Sequence, residues 1–472
     1  MNGRLLGLHS VNDTRTIEPH NHNKHNYSLA KLLTHLDFKT QPSHTYLEIH
    51  TIKTSTPTTS PKEDISTKWR EIHGSTDYEN LLEPLQPWVR REIVKYGEFA
   101  QATYDAFDFD AFSNYCGSCK YNPHKLFGML GLSRNGYKVT NYIYAMTHVD
   151  FPSWLLKSHC SWSKDSNWMG YVAVSDDDET RRIGRRDIVV AWRGTQTPSE
   201  WVEDVKFKLK PIDKDDDGDQ VKVEQGFLEV YTSKSEVTKF NKSSAAEQVM
   251  NEVKRLIHLH KDKNGEEVSL TITGHSLGAA IALLNAYEAA VTLPGLPISV
   301  ISFAGPRVGN IAFRDKLNRL GVKVLRMVGK QDVVPKVPPG IEYLDEHVDP
   351  LDMVYTHVGT ELKLDVGTSP YLKHKFDLGG FHSLETYLHL IDGFLSSNSP
   401  FRENARRDVA LVNKGSGMLV DDLRIPESWN QDLNKGLQLN SYGRWVVASR
   451  EPEDIPPYLI NDAITIHNLG SA

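Results

Sequence analysis

Cysteine is scarce in this chain, which has three cysteines among 472 residues. An odd number this small excludes a disulfide framework and suits a reducing compartment. Cys116 and Cys119 have the spacing of a CxxC pair, but no second CxxC is present to complete a zinc site. We therefore predict no metal site here and two ordinary thiols in a turn.

Long apolar runs and an excess of positive charge are also missing. The longest apolar pieces, such as residues 279–284, are far shorter than the roughly 18 residues that a membrane span needs. We therefore predict no transmembrane segment, so any contact with membrane lipid must be peripheral. The formal net charge of −7 argues against nucleic acid as a partner.

Acidic residues are few at the start of the chain. The first 62 residues contain four Asp or Glu, against 15 Ser or Thr and seven Lys or Arg. They have no apolar core of the kind that a secretory signal requires, which excludes that class of leader. A hydroxyl-rich, acid-poor composition is typical of an organelle transit peptide, although two arginines are few for one. We predict that residues 1–62 form a disordered leader with the role of a transit peptide.

The rest of the chain alternates strand-like and helix-like segments. Short β-branched, apolar runs predict strands, and apolar residues spaced by three or four predict helices. The predicted strands are residues 169–174, 187–192, 267–273, 298–304 and 322–328, and the predicted helices are residues 88–107, 243–260, 277–290 and 310–320. This alternation predicts an α/β fold with a largely parallel sheet and helices on both faces.

The most informative stretch is a Gly-x-Ser-x-Gly sequence at the junction of a predicted strand and a predicted helix. Gly274, Ser276 and Gly278 lie between the strand at residues 267–273 and a helix rich in Ala, Leu and Ile. The motif alone is weak evidence, but on such a sharp turn a serine has a strained backbone and projects its hydroxyl above the sheet. Side chains at the two glycines would collide as strand and helix pack. We interpret Ser276 as a nucleophile.

A serine nucleophile needs a base, and the base needs an acid that orients it. On folds of this kind the chain order is serine, acid, histidine. Asp332 lies four residues past the predicted strand at 322–328, at the sheet edge where ligands of parallel sheets bind. His382 lies on a short glycine-rich loop before a predicted helix, and we predict that it is the base.

Other candidates for the acid and the base are weaker. His357 is the main rival base, but it lies in a strand-like run. His389 lies inside the helix that follows His382 and is interpreted as a packing residue. The acidic residues nearest to Asp332 along the chain lie in a polar stretch and are predicted to be solvated: Asp345, Asp349 and Asp352.

Ester cleavage also needs donors for the oxyanion. The backbone N–H of Leu277, the residue after the nucleophile, is one predicted donor. Thr195, in an Arg-Gly-Thr turn directly after the strand at 187–192, is the second, through its N–H and its hydroxyl.

These residues together resemble a known family, the fungal-type (class 3) lipases. The motifs that match it follow the same order along the chain: Arg193-Gly194-Thr195, Gly274-His275-Ser276-Leu277-Gly278, residues 305–310, and the segments of Asp332 and His382. Within that family the chain is most similar to the plant class I phospholipase A1 enzymes. The motifs for that closer similarity are residues 96–101, 104–108, 115–119, 167–172 and 408–414.

The resemblance covers about residues 68–450 and implies an α/β-hydrolase fold. It implies a lipase catalytic domain at residues 63–472, with an N-terminal helical lead (63–165) and a C-terminal extension (400–472). The implied chemistry is hydrolysis of the sn-1 acyl ester of phospholipids and galactolipids by a Ser276–Asp332–His382 triad, without cofactor or metal, in the chloroplast. The alternatives are a catalytically silent lipase-like binding module, an esterase for neutral lipids or small esters, and a cytoplasmic location.

In such lipases the segment after the Arg-Gly-Thr motif forms a lid. Residues 199–209 place Trp201, Val205 and Leu209 on one face of a predicted helix, with charged residues opposite. As a lid, this face would cover the serine in water and turn toward lipid at an interface. The alternative is an ordinary amphipathic surface helix.

The acidic segment after the lid matches the EF-hand calcium-loop pattern at residues 213–224. A calcium loop of that kind needs a helix on each side. Pro211 breaks the incoming helix, and residues 221–231 have an extended pattern, so we predict a solvated acidic loop.

Overall fold

A seven-stranded sheet forms the centre of the computed structural model. In spatial order its strands, numbered along the chain, are β1 (Tyr137–Ala145), β2 (Asn167–Ser175), β3 (Arg186–Trp192), β6 (Val268–His275), β7 (Ile298–Phe303), β8 (Lys323–Gly329) and β9 (Thr360–Leu364). β1, β2 and β3 pair antiparallel, whereas β3, β6, β7, β8 and β9 are parallel. The carboxyl ends of these five strands therefore lie at one edge of the sheet.

Two hairpins and a set of helices complete the structure. The hairpins pair β4 (Leu209–Lys214) with β5 (Gln220–Glu224) and β10 (Leu437–Leu439) with β11 (Trp445–Val447). The α-helices are α1 (Trp69–Ile72), α2 (Pro87–Asp105), α3 (Leu126–Met129), α4 (Asp177–Ile183), α5 (Gln225–Thr232), α6 (Ala245–Ile257), α7 (Leu277–Thr292), α8 (Ile311–Arg319), α9 (Leu378–His382) and α10 (Leu384–Gly393). A π-helical turn extends α6 at His258–Asp262, and 3-10 turns lie at Ser133–Asn135, Val334–Lys336, Val366–Thr368, Val409–Lys414, Asp421–Leu423 and Pro452–Asp454.

The structure describes residues 63–109, 113, 115–146, 166–195, 208–214, 218–238, 240–262, 264–338, 354–430, 437–439, 441–447 and 450–456. All of them belong to one compact unit. The predicted leader, residues 1–62, lies outside them. No helix in these ranges is both long and apolar enough to cross a membrane.

The central strands are buried on both faces, which explains their continuous apolar sequences. Every residue of β2, β3, β6 and β7 is buried. α2 and α10 cover one face, and the close approach of α2 depends on Gly97, where a Cβ would lie 2.2 Å from Leu388 and 2.9 Å from Phe303. On the other face, Trp192 of β3 hydrogen-bonds Asn285 of α7 and packs edge-to-face on Tyr231 of α5. The predicted α/β architecture with helices on both faces is confirmed.

The edge strands were not predicted from the sequence. β1 and β9 mix buried and exposed residues, because each has only one neighbour in the sheet. Their sequences lack the long apolar runs by which the central strands are recognised.

Two expectations from the sequence are wrong. Cys116 is disulfide-bonded, whereas Cys119 is a free thiol, so the CxxC pair is not two ordinary thiols. An odd count of three cysteines does not exclude a single disulfide. Residues 221–231 are not uniformly extended, since β5 ends at Glu224, whose carboxylate accepts the Phe227 N–H at 2.8 Å and so caps α5.

Candidate active site

Ser276 lies in a strained turn between β6 and α7. Its φ of 58° and ψ of −127° are unfavourable for a residue with a Cβ. The flanking glycines permit the turn, because a Cβ on Gly274 would lie 2.3 Å from the Gly278 carbonyl oxygen. A Cβ on Gly278 would lie 2.4 Å from the Trp192 carbonyl oxygen at the end of β3. The close packing of strand and helix inferred from the motif is present.

Asp332 and His382 meet at the same sheet edge. Asp332 follows β8, and His382 is the last residue of α9. The Nδ1 atom of His382 lies 2.7 Å from Oδ2 of Asp332, and both side chains are at most 3% exposed. A carboxylate accepts hydrogen bonds, so Nδ1 carries the proton and the neutral ring has its lone pair on Nε2. That is the tautomer a general base requires.

A tyrosine that the sequence analysis did not single out also holds Asp332. Tyr387 of α10 donates its hydroxyl to Oδ2 of Asp332 at 2.7 Å and accepts the Gly329 N–H at 2.8 Å. The Val334 N–H donates to Oδ1 at 3.0 Å. Burial and the charge of Asp332 raise the pKa of Tyr387 well above its ordinary value, so its hydroxyl stays a donor.

Gly329 gives this tyrosine the space it occupies. A Cβ on Gly329 would lie 2.9 Å from the Tyr387 hydroxyl oxygen. In the sequence, Tyr387 is indicated only by its position in the helix after His382. It lies within the apolar stripe that Leu384, Leu388 and Ile391 form. Such a pattern indicates a buried residue with a polar tip, but it does not identify the partner.

The Arg-Gly-Thr turn runs beside the serine. A Cβ on Gly194 would lie 3.1 Å from the Ser276 Cβ, which places the neighbouring Thr195 next to the nucleophile. Leu277 is the first residue of α7, so its N–H has no acceptor within the helix. The helix dipole also favours negative charge at this position.

Three buried polar atoms at this edge have no hydrogen-bond partner among the described residues: Ser276 Oγ, His382 Nε2 and Thr195 Oγ1. Leaving such a group unpaired costs about 1–3 kcal/mol. Oγ and Nε2 do not bond each other in this structure, which is common for catalytic pairs without substrate. The three atoms are two hydroxyl oxygens and an imidazole nitrogen, and ester cleavage by a serine uses groups of these kinds.

The two other histidines contact different partners. His357 Nε2 hydrogen-bonds the Pro335 carbonyl oxygen at 2.7 Å, and burial, with the charges of Arg326 and Arg307, lowers the pKa of His357 to about 2. His389 hydrogen-bonds the Ser369 hydroxyl at 2.8 Å. Neither bond reaches Asp332, so the structure pairs that acid with His382.

The predicted lid helix cannot extend to Leu209. Leu209 begins β4 and pairs with Glu224 of β5, so the apolar stripe ends before it. Leu209 has the helical spacing from Val205, but its pairing in the hairpin places it in a strand. Trp201 and Val205 lie outside the described residues. The lid stays a prediction for those two residues only.

The described residues on either side of residues 215–217 belong to the paired strands β4 and β5, and not to the two helices of an EF-hand. The Asp213 carboxylate accepts the Tyr287 hydroxyl at 2.6 Å. No group of His, Cys, Asp or Glu suited to a metal occurs in the part of the chain that the structure describes.

Comparison with known proteins decides the family. A family model described as Lipase (class 3) matches residues 189–341, a range that contains Thr195, Ser276 and Asp332. Phospholipase A1-Igamma1, chloroplastic, of Arabidopsis thaliana is 47% identical over 404 residues, which cover 81% of this chain and 78% of that protein. The chain belongs to the class 3 lipase family.

A rice protein and a solved fungal lipase structure also match this chain. Phospholipase A1-II 6 of Oryza sativa subsp. japonica is 38% identical over 410 residues, 82% of this chain and 96% of that protein. Among solved structures, Rhizomucor miehei triacylglyceride lipase aligns with 60% of this chain and 81% of its own, at 19% identity and a TM-score of 0.38.

Proposed function

We propose that this chain hydrolyses the sn-1 acyl ester of phospholipids and galactolipids with a Ser276–His382–Asp332 triad. One observation carries the proposal: at one sheet edge a buried serine hydroxyl, a buried imidazole nitrogen oriented by a carboxylate, and a buried threonine hydroxyl have no hydrogen-bond partner among the residues that the structure describes. The relatives named phospholipase A1, which match more than three quarters of their own length, support membrane lipid as the substrate class.

Acylation begins when Nε2 of His382 takes the hydroxyl proton of Ser276. The Oγ of Ser276 then attacks the ester carbonyl carbon, and the carbonyl oxygen becomes an oxyanion. The Leu277 N–H and the N–H and hydroxyl of Thr195 receive that negative charge. Removal of one such donor typically costs about 3–4 kcal/mol of transition-state stabilisation. Asp332 remains ionised and stabilises the imidazolium of His382.

The oxyanion then collapses and the bond to the glycerol oxygen breaks. His382 Nε2 gives its proton to that oxygen, which leaves as the hydroxyl of a lysolipid. Water, deprotonated by the same nitrogen, attacks the acyl-enzyme, and a fatty acid is released from Ser276. In that last step His382 returns a proton to the oxygen of Ser276, so both residues end the cycle in their starting protonation states.

A defined lipid panel tests the substrate class. The purified protein and its Ser276→Ala variant are incubated with phosphatidylcholine, monogalactosyldiacylglycerol and triacylglycerol that carry different acyl chains at sn-1 and sn-2. We expect mass spectrometry to detect the sn-1 fatty acid and the 2-acyl lysolipid from the two membrane lipids, and nothing from the variant. Hydrolysis of triacylglycerol or short soluble esters alone would instead indicate an esterase. Absence of any product would indicate a silent binding module.

We further propose that the protein acts in the chloroplast. Relatives at 45–47% identity are named chloroplastic, and residues 1–62 have the composition of a transit peptide. A fusion of these residues to a fluorescent protein should direct it to plastids in leaf cells. Fluorescence that stays in the cytoplasm would contradict this location.

A further inference from the structure

His275, the residue before the nucleophile, connects two parts of the site. It is the last residue of β6 and is 4% exposed. Its Nε2 lies 2.8 Å from the backbone carbonyl oxygen of His382, and its Nδ1 lies 2.7 Å from the hydroxyl oxygen of Tyr104 in α2. Its ring centroid lies 4.6 Å from that of His382. The side chain therefore spans the distance between α2 and the segment of the base.

The partners fix which nitrogen of His275 carries the proton. A backbone carbonyl oxygen can only accept, so Nε2 donates to His382. Nδ1 then has the lone pair and accepts the hydroxyl proton of Tyr104. Burial and the neighbouring His382 lower the pKa of His275 well below its ordinary value, so the ring is neutral. A neutral neighbour also avoids repulsion when His382 becomes an imidazolium.

Tyr104 extends the connection to the oxyanion turn. A Cβ on Gly194 would lie 2.2 Å from the Tyr104 hydroxyl oxygen and 2.5 Å from the His275 carbonyl oxygen. The turn before Thr195 is therefore packed directly against this pair. Burial raises the pKa of Tyr104 above its ordinary value, against a lowering by Arg193 and by a hydrogen bond from the Gly194 backbone. The hydroxyl thus remains protonated and able to donate to His275.

We propose that Tyr104 and His275 are positioning residues for the reaction proposed above. The chain Tyr104 O–H, His275 Nδ1, His275 Nε2–H and His382 carbonyl oxygen holds the backbone of the base at a fixed distance from Ser276. The same pair supports the turn before Thr195. Neither residue exchanges a proton with substrate, and both act through the placement of His382 and Thr195. The expected losses of rate rest on the proposed function, whereas the placement of His382 by Tyr104 and His275 does not.

Two substitutions at His275 separate positioning from packing. His275→Leu keeps an apolar side chain but removes both hydrogen bonds, whereas the Gln side chain of His275→Gln keeps a donor for the His382 carbonyl. A misplacement of about 1 Å at a reacting group can cost about 100-fold in rate. We expect kcat on a soluble ester to fall about 100-fold in His275→Leu and about tenfold in His275→Gln, with KM changed little in both.

His389→Leu is the matched control for these variants. His389 is also buried, at 5% exposure, and hydrogen-bonded, but its partner is Ser369, away from the site. We expect His389→Leu to lower the melting temperature while kcat stays within about threefold of the wild type. If His275→Leu and His275→Gln lost kcat equally, and the loss followed the fall in melting temperature, His275 would have a packing role only.

Tyr104→Phe tests the other end of the chain. It removes one hydroxyl, so His275 Nδ1 loses its donor while the ring packing is kept. We expect a smaller loss of kcat, about threefold to tenfold, and no further loss when Tyr104→Phe is added to His275→Leu. Additive losses in the double variant would show that the two residues act separately and would overturn the pair.

A measurement that needs no turnover separates this inference from the proposed function. The proton between His382 Nδ1 and Asp332 is expected to give a low-field proton NMR signal, identified by its loss in Asp332→Ala. We expect the signal to shift or disappear in His275→Leu and to persist in His389→Leu. An unchanged signal in folded His275→Leu would refute the positioning role. A wild type without esterase activity but with the expected shift would refute the proposed function and leave the positioning role supported.

Discussion

Polar side chains are buried at both the amino and the carboxyl ends of the parallel strands β3 and β6. Those compared at the amino ends are hydrogen-bonded, whereas, among the residues that the structure describes, several at the carboxyl ends have a polar atom without a partner. At the amino ends, Asp187 is fully buried and its carboxylate accepts four hydrogen bonds of 2.7–3.0 Å. The donors are Tyr96, Tyr137, Ser269 and Thr271. At the carboxyl ends, one polar atom each on Ser276, His382 and Thr195 has no partner among the described residues.

Charge is also balanced at the amino end. Asp187 lies near two other acids and three bases, which form ion pairs of 2.6–3.8 Å: Glu92, Glu179, Lys95, Arg182 and Arg185. Burial acts to raise the pKa of Asp187, but the charges of Arg185 and Lys95 and the Thr271 hydrogen bond outweigh it. The net pKa is lowered, so the buried carboxylate stays ionised.

The difference shows how one sheet separates stability from chemistry. A buried polar network whose members are all paired makes the fold rigid and leaves nothing for a ligand to contact. A buried polar atom without a partner destabilises the fold, and at a binding site a substrate can supply the missing hydrogen bond. On this account, substitutions at the amino end should change stability and those at the carboxyl end should change turnover.

The largest effect is expected from loss of the base or the nucleophile. His382→Ala and Ser276→Ala should each lower kcat by a factor on the order of a million, and the double variant should be scarcely worse, because triad members act as a unit. His357→Ala is the control and should keep most of its activity per folded molecule. The rates are measured on a soluble ester, with circular dichroism as the fold check. A larger loss in folded His357→Ala than in His382→Ala would make His357 the base.

A matched pair of Asp→Asn variants tests the comparison itself. Asp332→Asn should lower kcat by about 10⁴-fold, because an amide no longer fixes the tautomer of His382. Asp187→Asn should instead lower the free energy of unfolding by about 3–5 kcal/mol, because it leaves buried bases unbalanced. Turnover per folded molecule should stay near the wild-type value in Asp187→Asn. Loss of turnover in that variant without loss of stability would break the division between the two ends.

Tyr387→Phe is expected to have a moderate effect. It removes one of the hydrogen bonds to the ionised Asp332, worth about 1.5 kcal/mol, and should lower kcat about tenfold. Tyr171→Phe is the matched control, since this buried hydroxyl donates to the Phe99 carbonyl oxygen at 2.8 Å and touches no residue of the proposed triad. It should reduce stability by about 1 kcal/mol and leave kcat unchanged. Equal kinetic effects of the two substitutions would remove Tyr387 from the account of the site.

The smallest effect on turnover is expected at His389, a buried histidine outside the proposed triad, where substitution should change stability instead. Burial lowers the pKa of His389 from 6.5 to about 4, so the folded protein holds the ring neutral while the unfolded chain takes up a proton below pH 6.5. The stability that it contributes above pH 6.5 is lost as the pH falls toward 4, at up to about 1.4 kcal/mol per pH unit. The free energy of unfolding, measured by denaturant titration at several pH values, should fall less steeply with decreasing pH in His389→Gln than in the wild type. The difference in slope between pH 6.5 and 4 should be up to about 1.4 kcal/mol per pH unit.

The sequence predicted the centre of the fold well and its margins poorly. β2, β3, β6, β7 and β8 were located to within two residues, because strands buried on both faces have continuous apolar sequences. β1 and β9 were missed, since a half-exposed edge strand mixes polar and apolar residues. The strand that begins at Leu209 depends on its pairing with Glu224 on the other side of the acidic segment, which no local pattern encodes.

The same limit applies to the candidate site. Ser276 was predicted from its motif, and Asp332 and His382 from their order and their positions after a strand and before a helix. The structure brings the three residues to one sheet edge, and their roles stay predictions. The bonds of Tyr387 to Asp332 and of His275 to the His382 backbone join residues 55 and 107 positions apart. Such contacts depend on how α9 and α10 lie against the sheet edge, so only the folded structure reveals them.

Covalent labelling by an active-site-directed organophosphate tests the central claim most directly. Wild-type protein treated with a fluorophosphonate should lose its esterase activity in step with the incorporation of one phosphonyl group. Peptide mass spectrometry should locate that group on Ser276, and labelling should be lost in Ser276→Ala and strongly slowed in His382→Ala. Stoichiometric labelling of another residue with the same loss of activity, or full activity after Ser276 is labelled, would contradict the assignment of Ser276 as the nucleophile.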